Sequence, residues 1–133
     1  MREHLKPEQA DEAAEAVLDL YGQDLRVLQK SLLLKTLAAL RSPLAVKPLS
    51  QLLRDRSEKN ANLKRNAIAA LVAIGTPAAL RPVVSVLEDE DPYVRHGALR
   101  HLAPLTGDEF GYDPARSAAD NEAAIARFRQ WWE

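Results

Sequence analysis

The sequence predicts an all-α fold, a short right-handed α–α superhelix of about three helix pairs with a helical cap at each end. The first observation is a repeat, because residues 40–55, "LRSPLAVKPLSQLLRD", align without a gap with residues 74–89, "IGTPAALRPVVSVLED". The second is that apolar residues recur in both copies with the i, i+3, i+4, i+7 spacing of an amphipathic helix. The third is the scarcity of sheet signals, since β-branched runs are short and there are only five glycines.

The composition is that of one folded domain, which we place over residues 1–133. The chain is 47% hydrophobic and 28% charged, with a formal net charge of -1, so no strongly electrostatic partner is implied. It has no cysteine, which excludes disulfides and thiolate metal sites. There is no signal-peptide core and no apolar run of about 18 residues, so we expect a cytoplasmic protein of bacterial type with no membrane contact.

The first element is a predicted N-terminal cap helix at residues 7–22. Proline opens the segment "PEQADEAAEAVLDLY", acids occupy its first turns, and Gly22 follows its last apolar residue. We expect this helix to stand in for the second helix of an incomplete first pair.

Three repeats follow, at residues 24–55, 56–89 and 90–133. Each unit is predicted to be a helix, a tight turn, a second helix and a turn that carries an aspartate. The first helices have apolar residues at 33, 34, 37 and 40, at 63, 67, 68, 71 and 74, and at 94, 98, 99, 102 and 105. The second helices have theirs at 46, 49, 52 and 53 and at 80, 83, 86 and 87.

Hydroxyl residues and prolines mark the predicted starts of the second helices. Ser42 and Thr76 each precede a proline, which is the pattern of an N-cap followed by proline at the first helical position. Pro48 and Pro82 are predicted near the sixth residue of the same helices, where proline removes a hydrogen bond. We therefore expect both second helices to bend.

The third repeat is predicted to contain a long loop around "GYDP" and a closing C-terminal helix. Ser117 and Asp120 form an S-x-x-D cap signal. The apolar stripe that follows predicts a helix that caps the stack, and it consists of Ala124, Ile125, Phe128, Trp131 and Trp132. The alternative is that Trp131 or Trp132 projects outward as an aromatic binding anchor, because two adjacent residues cannot face the same way.

One helix of the third repeat carries a resemblance to a known family. The segment "DEDPYVRHGALRHL" resembles the first helix of a HEAT repeat at Asp89, Pro92, Val94, Arg95, Ala98 and Leu102. The period of 31 to 34 residues resembles the bacterial HEAT-like repeats named after phycobilisome lyases. The GYDP loop and the helix that closes in tryptophans are similar to the ending of many bacterial HEAT-repeat proteins. The resemblance covers residues 24–133 and implies the fold, but it implies little about activity.

Six residues are predicted to form a structural ladder between the repeats. A turn aspartate can accept backbone N–H groups at the start of the next helix, where the helix dipole also favours negative charge. A basic residue on a first helix can then pair with that aspartate or with the aspartate of the neighbouring repeat. The aspartates are Asp24, Asp55 and Asp89, and the basic residues are Lys30, Lys64 and Arg95.

Catalytic chemistry is not predicted for this chain. His96 and His101 are five positions apart, which does not place them on one face as metal ligands at i, i+4 would be. The sequence has no glycine-rich phosphate loop, no nucleophile elbow and no histidine metal motif. We therefore predict no enzyme activity, no cofactor and no metal.

The predicted function is that of a non-catalytic scaffold, which binds a partner protein on the concave face formed by the second helices. Three of the six outward residues on these helices are basic, which suits an acidic helix or tail on the partner. The predicted partner-binding residues are Lys47, Gln51, Arg54, Arg81, Ser85 and Glu88. The scaffold itself is expected to be a monomer or a weak homo-oligomer.

Two other classes of function stay open from the sequence. The resemblance admits an accessory subunit that assists a bilin lyase or another enzyme, although the chain has no cysteine or convergent histidines to hold a chromophore. The other class is a nucleic-acid-binding helical repeat. The near-zero net charge and a pI of about 6.3 disfavour nucleic acid as the partner.

Overall fold

The predicted all-α solenoid of helix pairs is confirmed by the computed structural model, which describes residues 6–21 and 27–131. This part of the chain contains no strand. Its helices are α1 (Pro7–Tyr21), α2 (Val27–Leu40), α3 (Val46–Arg54), α4 (Ala61–Ile74), α5 (Pro77–Ser85), α6 (Pro92–Thr106) and α7 (Glu122–Trp131). The 3-10 turn Pro43–Ala45 leads into α3, and a second 3-10 turn, Val86–Glu88, follows α5.

The helices form two layers. In the first layer α2 packs against α4 and α4 packs against α6, so the first helices of successive repeats lie side by side. In the second layer α3 contacts α5, and α5 contacts α7. Helix α1 packs against α2 and against the 3-10 turn Pro43–Ala45, next to the start of α3. Helix α7 is therefore the neighbour of α5, although fifteen residues separate it from α6.

The core lies between the two layers and uses equivalent positions of successive repeats. Leu37, Leu71 and Leu102 occupy the same place on α2, α4 and α6, and all three are buried. Leu105, which the apolar pattern assigned to the core, is instead 41% exposed because it lies in the last turn of α6. Gly107 ends this helix with a φ of 74°, a left-handed conformation that glycine adopts without steric cost.

Side-chain caps define where the helices begin. The predicted caps Ser42 and Thr76 are confirmed, since each hydroxyl oxygen accepts a backbone N–H at the start of its helical segment. The other two caps are Asn60 before α4 and Asp91 before α6. All four residues have extended backbone conformations, which is typical of an N-cap.

The two prolines of the second helices differ in burial and in the kind of helical turn that precedes them. Pro82 lies inside α5 and is buried. Pro48 is only the third residue of α3, because the chain makes the 3-10 turn Pro43–Ala45 before the α-helix begins. The 3-10 turn runs directly into α3, so Pro48 is also the sixth residue of the helical segment that starts at Pro43. In both segments the proline has no N–H to donate to the preceding turn.

Residues 107–121 form a long loop, and this loop is attached to the repeats by hydrogen bonds. The Tyr112 hydroxyl is buried and donates to the carbonyl oxygen of Leu87 at 2.6 Å. The Asn121 side chain is also buried, and its Nδ2 donates to the carbonyl oxygen of Asp113 at 2.8 Å. Phe110 packs edge-to-face on Phe128 of α7, with ring centroids 4.8 Å apart. The aromatic residues of the loop thus pack against the helices.

The C-terminal helix begins later than its cap signal predicts. Ser117 Oγ does accept a hydrogen bond from the Asp120 N–H, but α7 begins only at Glu122. The reason is Asn121, whose side chain also binds the carbonyl oxygen of Ser117 and so holds residues 117–121 in turns.

The apolar stripe of α7 also ends sooner than predicted. Ala124, Ile125 and Phe128 are buried, whereas Trp131 is 49% exposed in the last turn of α7. Trp131 therefore lies at the edge of the core, and Trp132 lies outside the described residues.

We expect Tyr112→Phe to lower the free energy of unfolding by about 1 kcal/mol at pH 7, because it removes a buried hydrogen bond. Burial raises the pKa of the Tyr112 hydroxyl above its ordinary value of 10.0. The unfolded chain then loses this proton at a lower pH than the folded chain. The stability difference between wild type and variant is therefore complete below pH 10 and shrinks as the pH rises through the folded-state pKa.

Urea denaturation followed by circular dichroism, at pH 7 and again above pH 10, measures both effects. A stability difference that stays constant across this range would contradict the role given to the Tyr112 hydroxyl.

Candidate functional site

The exposed faces of α3 and α5 carry five of the six predicted partner-binding residues, and Glu88 lies in the 3-10 turn that follows α5. On α3, Lys47, Gln51 and Arg54 follow an i, i+4, i+7 spacing, so they lie on one face, and all three are exposed. Arg81 and Ser85 on α5 are also exposed. Because α3 and α5 are in contact, the two faces adjoin.

Five of the six predicted residues line one open cleft, which we call the basic cleft. Its volume is about 390 Å³, and it lies between α3 and α5. Its walls are formed by Val46, Lys47, Ser50, Gln51, Arg54, Ala78, Arg81, Pro82 and Ser85. No acidic residue belongs to this set. Within the described residues, Lys47, Arg54 and Arg81 form no ion pair. The basic cleft therefore presents three uncompensated positive charges.

A second cleft, which we call the mixed cleft, adjoins the basic cleft and shares Arg54, Pro82 and Ser85 with it. Its volume is about 460 Å³, and it lies beside the turns that follow α3 and α5. Three cations and three acids contribute to its lining, namely Arg54, Arg56, Lys64, Glu88, Asp89 and Glu90.

Each acid of the mixed cleft already has a cationic partner. Glu88 pairs with Arg129 of α7 at 3.0 Å, and Asp89 pairs with Lys64 at 3.3 Å. Glu90 pairs with Lys59 at 2.9 Å, and this hydrogen bond is the main reason that the pKa of Glu90 is lowered. Arg54 and Arg56 form no ion pair in the described part of the chain. The free positive charge of the mixed cleft thus lies on its α3 side.

Glu88 differs from the other five predicted partner-binding residues. It is exposed, but it lines the mixed cleft and binds Arg129, which is forty-one positions away in sequence. A contact at that separation is set by the docking of α7 on α5, so helical spacing gives no sign of it.

The structural ladder is built differently from the prediction at most positions. Lys64 of α4 and Asp89 form an ion pair with side chains only 9% and 10% exposed. Arg95 does not pair with a turn aspartate side chain. It donates instead to the carbonyl oxygen of Asp89 at 2.7 Å and, through Nη2, to that of Pro114 at 2.9 Å. Lys30 lies over the ring of Tyr21 at 5.7 Å, and Asp24 lies outside the described residues.

The turn aspartates also bind different N–H groups from those predicted. Asp55 Oδ1 accepts hydrogen bonds from the hydroxyl and backbone N–H of Ser57, which lower the pKa of Asp55. Asp89 Oδ1 accepts from the backbone N–H of Asp91. Both residues therefore close the turn itself, because the chain continues past them to Asn60 and Asp91, which cap the next helices.

A group of cationic and aromatic side chains on α4 and α6 was not identified from the sequence. It consists of Arg65, Tyr93, Arg100 and His101, and we call it the Arg65 cluster. The Arg65 guanidinium lies over the ring of Tyr93, with 4.2 Å from its central carbon to the ring centroid. The half-buried His101 has a lowered pKa, caused first by burial and then by the positive charges of Arg65 and Arg100. The absence of acidic residues from α2, α4 and α6 is the sequence signal that points to this cluster.

The described residues contain no group of three histidine, cysteine, aspartate or glutamate side chains arranged to hold a metal ion. Across residues 6–21 and 27–131, no helix has both the length and the apolar character needed to cross a membrane.

Comparison with known proteins gives one match. A family model described as HEAT repeats matches residues 14–103 and again residues 46–130. The two matches together run from α1 into α7 and overlap over residues 46–103, which include α3, α4, α5 and most of α6. Neither the curated proteins nor the solved structures include a match to the chain.

We expect Asp89→Asn to lower the free energy of unfolding by about 3 kcal/mol, because it removes the ion-pair partner of the nearly buried ammonium group of Lys64. The asparagine keeps an oxygen atom for the Asp91 N–H, so the variant tests the charge alone. Glu90→Gln is the matched control, since it removes the same charge from an exposed pair and should change stability much less.

Urea denaturation of the two variants gives the comparison. Equal and small effects would show that Lys64 does not depend on Asp89 for its charge balance.

Proposed function

Because the chain belongs to the HEAT-repeat family, we propose that it is a non-catalytic protein-interaction scaffold whose basic cleft binds an acidic segment of a partner protein. Stacked helical repeats commonly bind partners on the extended surface that one layer of helices presents. The observation that carries this proposal is the set of three unpaired cations in a cleft whose lining contains no acid.

Charge complementarity favours an acidic partner. Unpaired cations in a concave surface raise the local concentration of anionic groups and increase the rate of association. The net charge of -1 does not oppose this effect, because a charge farther away than about 8 Å is largely screened at physiological salt. The local charge of the cleft therefore governs the encounter.

The shape of the basic cleft favours a chain segment over a small molecule. Sites for small molecules enclose most of the ligand surface and are lined mainly by apolar side chains. The basic cleft is open to solvent, and most of its lining residues are polar or charged. Such a surface accommodates a segment that passes along it.

The helix geometry sets the spacing of acidic groups that would match the cleft. Lys47 and Arg54 are seven residues apart on α3, which corresponds to about 10 Å along the helix axis. A polyproline II segment rises about 3.1 Å per residue and repeats every three residues, so acids at every third position lie on one side about 9 Å apart. We therefore infer that the preferred partner segment is extended and carries acids with this period.

The experiment measures the binding of a labelled (Glu-Pro-Pro)4 peptide by fluorescence anisotropy. The test variant is Lys47→Glu/Arg54→Glu/Arg81→Glu. The matched control, Lys6→Glu/Lys35→Glu/Arg127→Glu, changes the net charge by the same amount at exposed residues that line neither cleft. We expect the test variant to bind at least about tenfold more weakly than wild type and the control to stay within about twofold.

A second peptide with the same composition but adjacent glutamates tests the spacing and should bind more weakly to the wild type. Circular dichroism first establishes that both variants fold. Equal losses in the two variants would overturn the assignment of the basic cleft, since they would indicate a response to net charge alone.

A further inference from the structure

The first layer of helices differs in charge from the rest of the chain. Helices α2, α4 and α6 contain no aspartate or glutamate, although the chain has 19 acidic residues. They carry six lysine or arginine residues and two histidines. Lys64 and Arg95 are buried and bound to the turn at Asp89. The other cations of these three helices, Lys30, Lys35, Arg65 and Arg100, form no ion pair in the described part of the chain.

Arg65 of α4 is held against an aromatic ring. Its guanidinium group stacks on the ring of Tyr93, at the start of α6, with 4.2 Å between the central carbon and the ring centroid. Stacking on an aromatic ring fixes the plane of a guanidinium group and leaves its N–H edges free to donate. The Arg65 side chain has no hydrogen-bond acceptor and no ion-pair partner within residues 6–21 and 27–131.

Gly97 allows Arg65 to lie flat on α6. A Cβ atom at position 97 would be 2.8 Å from Arg65 Nε and 3.0 Å from its Cγ, so any other residue would displace this side chain. Glycine inside a helix is destabilising relative to alanine. The close approach of Arg65 gives a physical reason for glycine at this position.

Arg100 and His101 continue the same surface. They lie three and four residues after Gly97, so helical spacing puts them on the side of α6 where Arg65 crosses. Arg65 from α4 and Arg100 from α6 are the charged groups that act on the His101 imidazole, and both lower its pKa together with burial. Arg100 is exposed and Tyr93 is 51% exposed, so a macromolecule can reach the cluster.

We propose that Arg65, Arg100 and His101 form a second binding surface, separate from the basic cleft, which takes the phosphate group of a phosphorylated serine or threonine side chain on a partner protein. The guanidinium groups supply planar N–H donors that match phosphate oxygens. The imidazole adds a further donor. No covalent step is involved.

The charge of the cluster matches a phosphomonoester better than other anions. Two guanidinium groups carry two positive charges, and a phosphorylated side chain carries between about -1.5 and -2 at pH 7. A carboxylate would leave one of these charges unbalanced. A nucleic-acid strand would need cations repeated along a track, whereas the neighbouring helix α2 has only Lys35 as an exposed cation among its described side chains. The open surface also favours a phosphate presented on a chain over a small free ester.

The test is a titration monitored by nuclear magnetic resonance, with an uncharged glycine- and serine-rich heptapeptide that carries one phosphoserine. Further arms use the unphosphorylated peptide, inorganic phosphate and a single-stranded oligonucleotide. We expect the phosphopeptide to bind, to shift the resonances of α4 and α6, and to raise the pKa of His101. Arg65→Gln and Arg100→Gln should each weaken binding by about tenfold or more, as for the loss of a hydrogen bond to a charged group.

The controls separate this surface from the basic cleft. Lys35→Gln removes one charge from the same layer and should change binding by less than about twofold. The triple reversal at Lys47, Arg54 and Arg81 should leave phosphopeptide binding intact, so a failure of the proposed function does not affect this result. Equal binding of the unphosphorylated peptide, of inorganic phosphate, or of the Arg65→Gln variant would overturn the proposal. Tighter binding of the oligonucleotide would overturn it in favour of nucleic acid.

Discussion

The nearly buried ion pair between Lys64 and Asp89 positions the turn between α5 and α6, and the attachment of the C-terminal segment depends on that turn. An ammonium group inside a protein costs several kcal/mol unless an opposite charge balances it, so the turn has little freedom to move. The same turn presents its carbonyl oxygens to Arg95 and Tyr112. Arg95 also binds the carbonyl oxygen of Pro114, and it thereby connects the first layer of helices to residues 107–121. One charged contact thus supports the docking of the loop and of α7.

The distribution of charge explains how a chain with a net charge of -1 presents cationic surfaces. Among the described residues, the acidic side chains lie in α1, in α7 and in the connecting segments, and several of those in the connecting segments cap helices, close turns or form ion pairs. The first-layer helices contain none. The basic cleft and the Arg65 cluster therefore keep their positive charge, and they lie on different layers of the solenoid. The two proposed sites would therefore allow the scaffold to bind two anionic segments at once.

The sequence predicted the helices well and their ends less well, and the reason is visible at particular residues. Ser42 and Thr76 were recognised as caps because a proline follows each of them directly. Asp55 and Asp89 were mistaken for caps, because Asn60 and Asp91 lie beyond them in turns whose length the apolar pattern does not specify. Ser117 was likewise taken as the cap of α7, although the side chain of Asn121 delays the helix by binding carbonyl oxygens in the preceding loop. Five of the six candidate binding residues share one cleft, since helical spacing alone orients exposed residues on α3 and α5.

The sequence by itself determined the all-α class, the repeat and the buried face of each helix. These features depend on spacings of three to seven residues, which a helix converts directly into a face. The tertiary structure decided which charges meet. Lys64 is twenty-five residues from Asp89, Glu88 is forty-one from Arg129, and Arg65 reaches Tyr93 across a helix interface. Contacts between residues so far apart in the chain depend on how the layers stack and where the loop docks, and no local pattern encodes that distance.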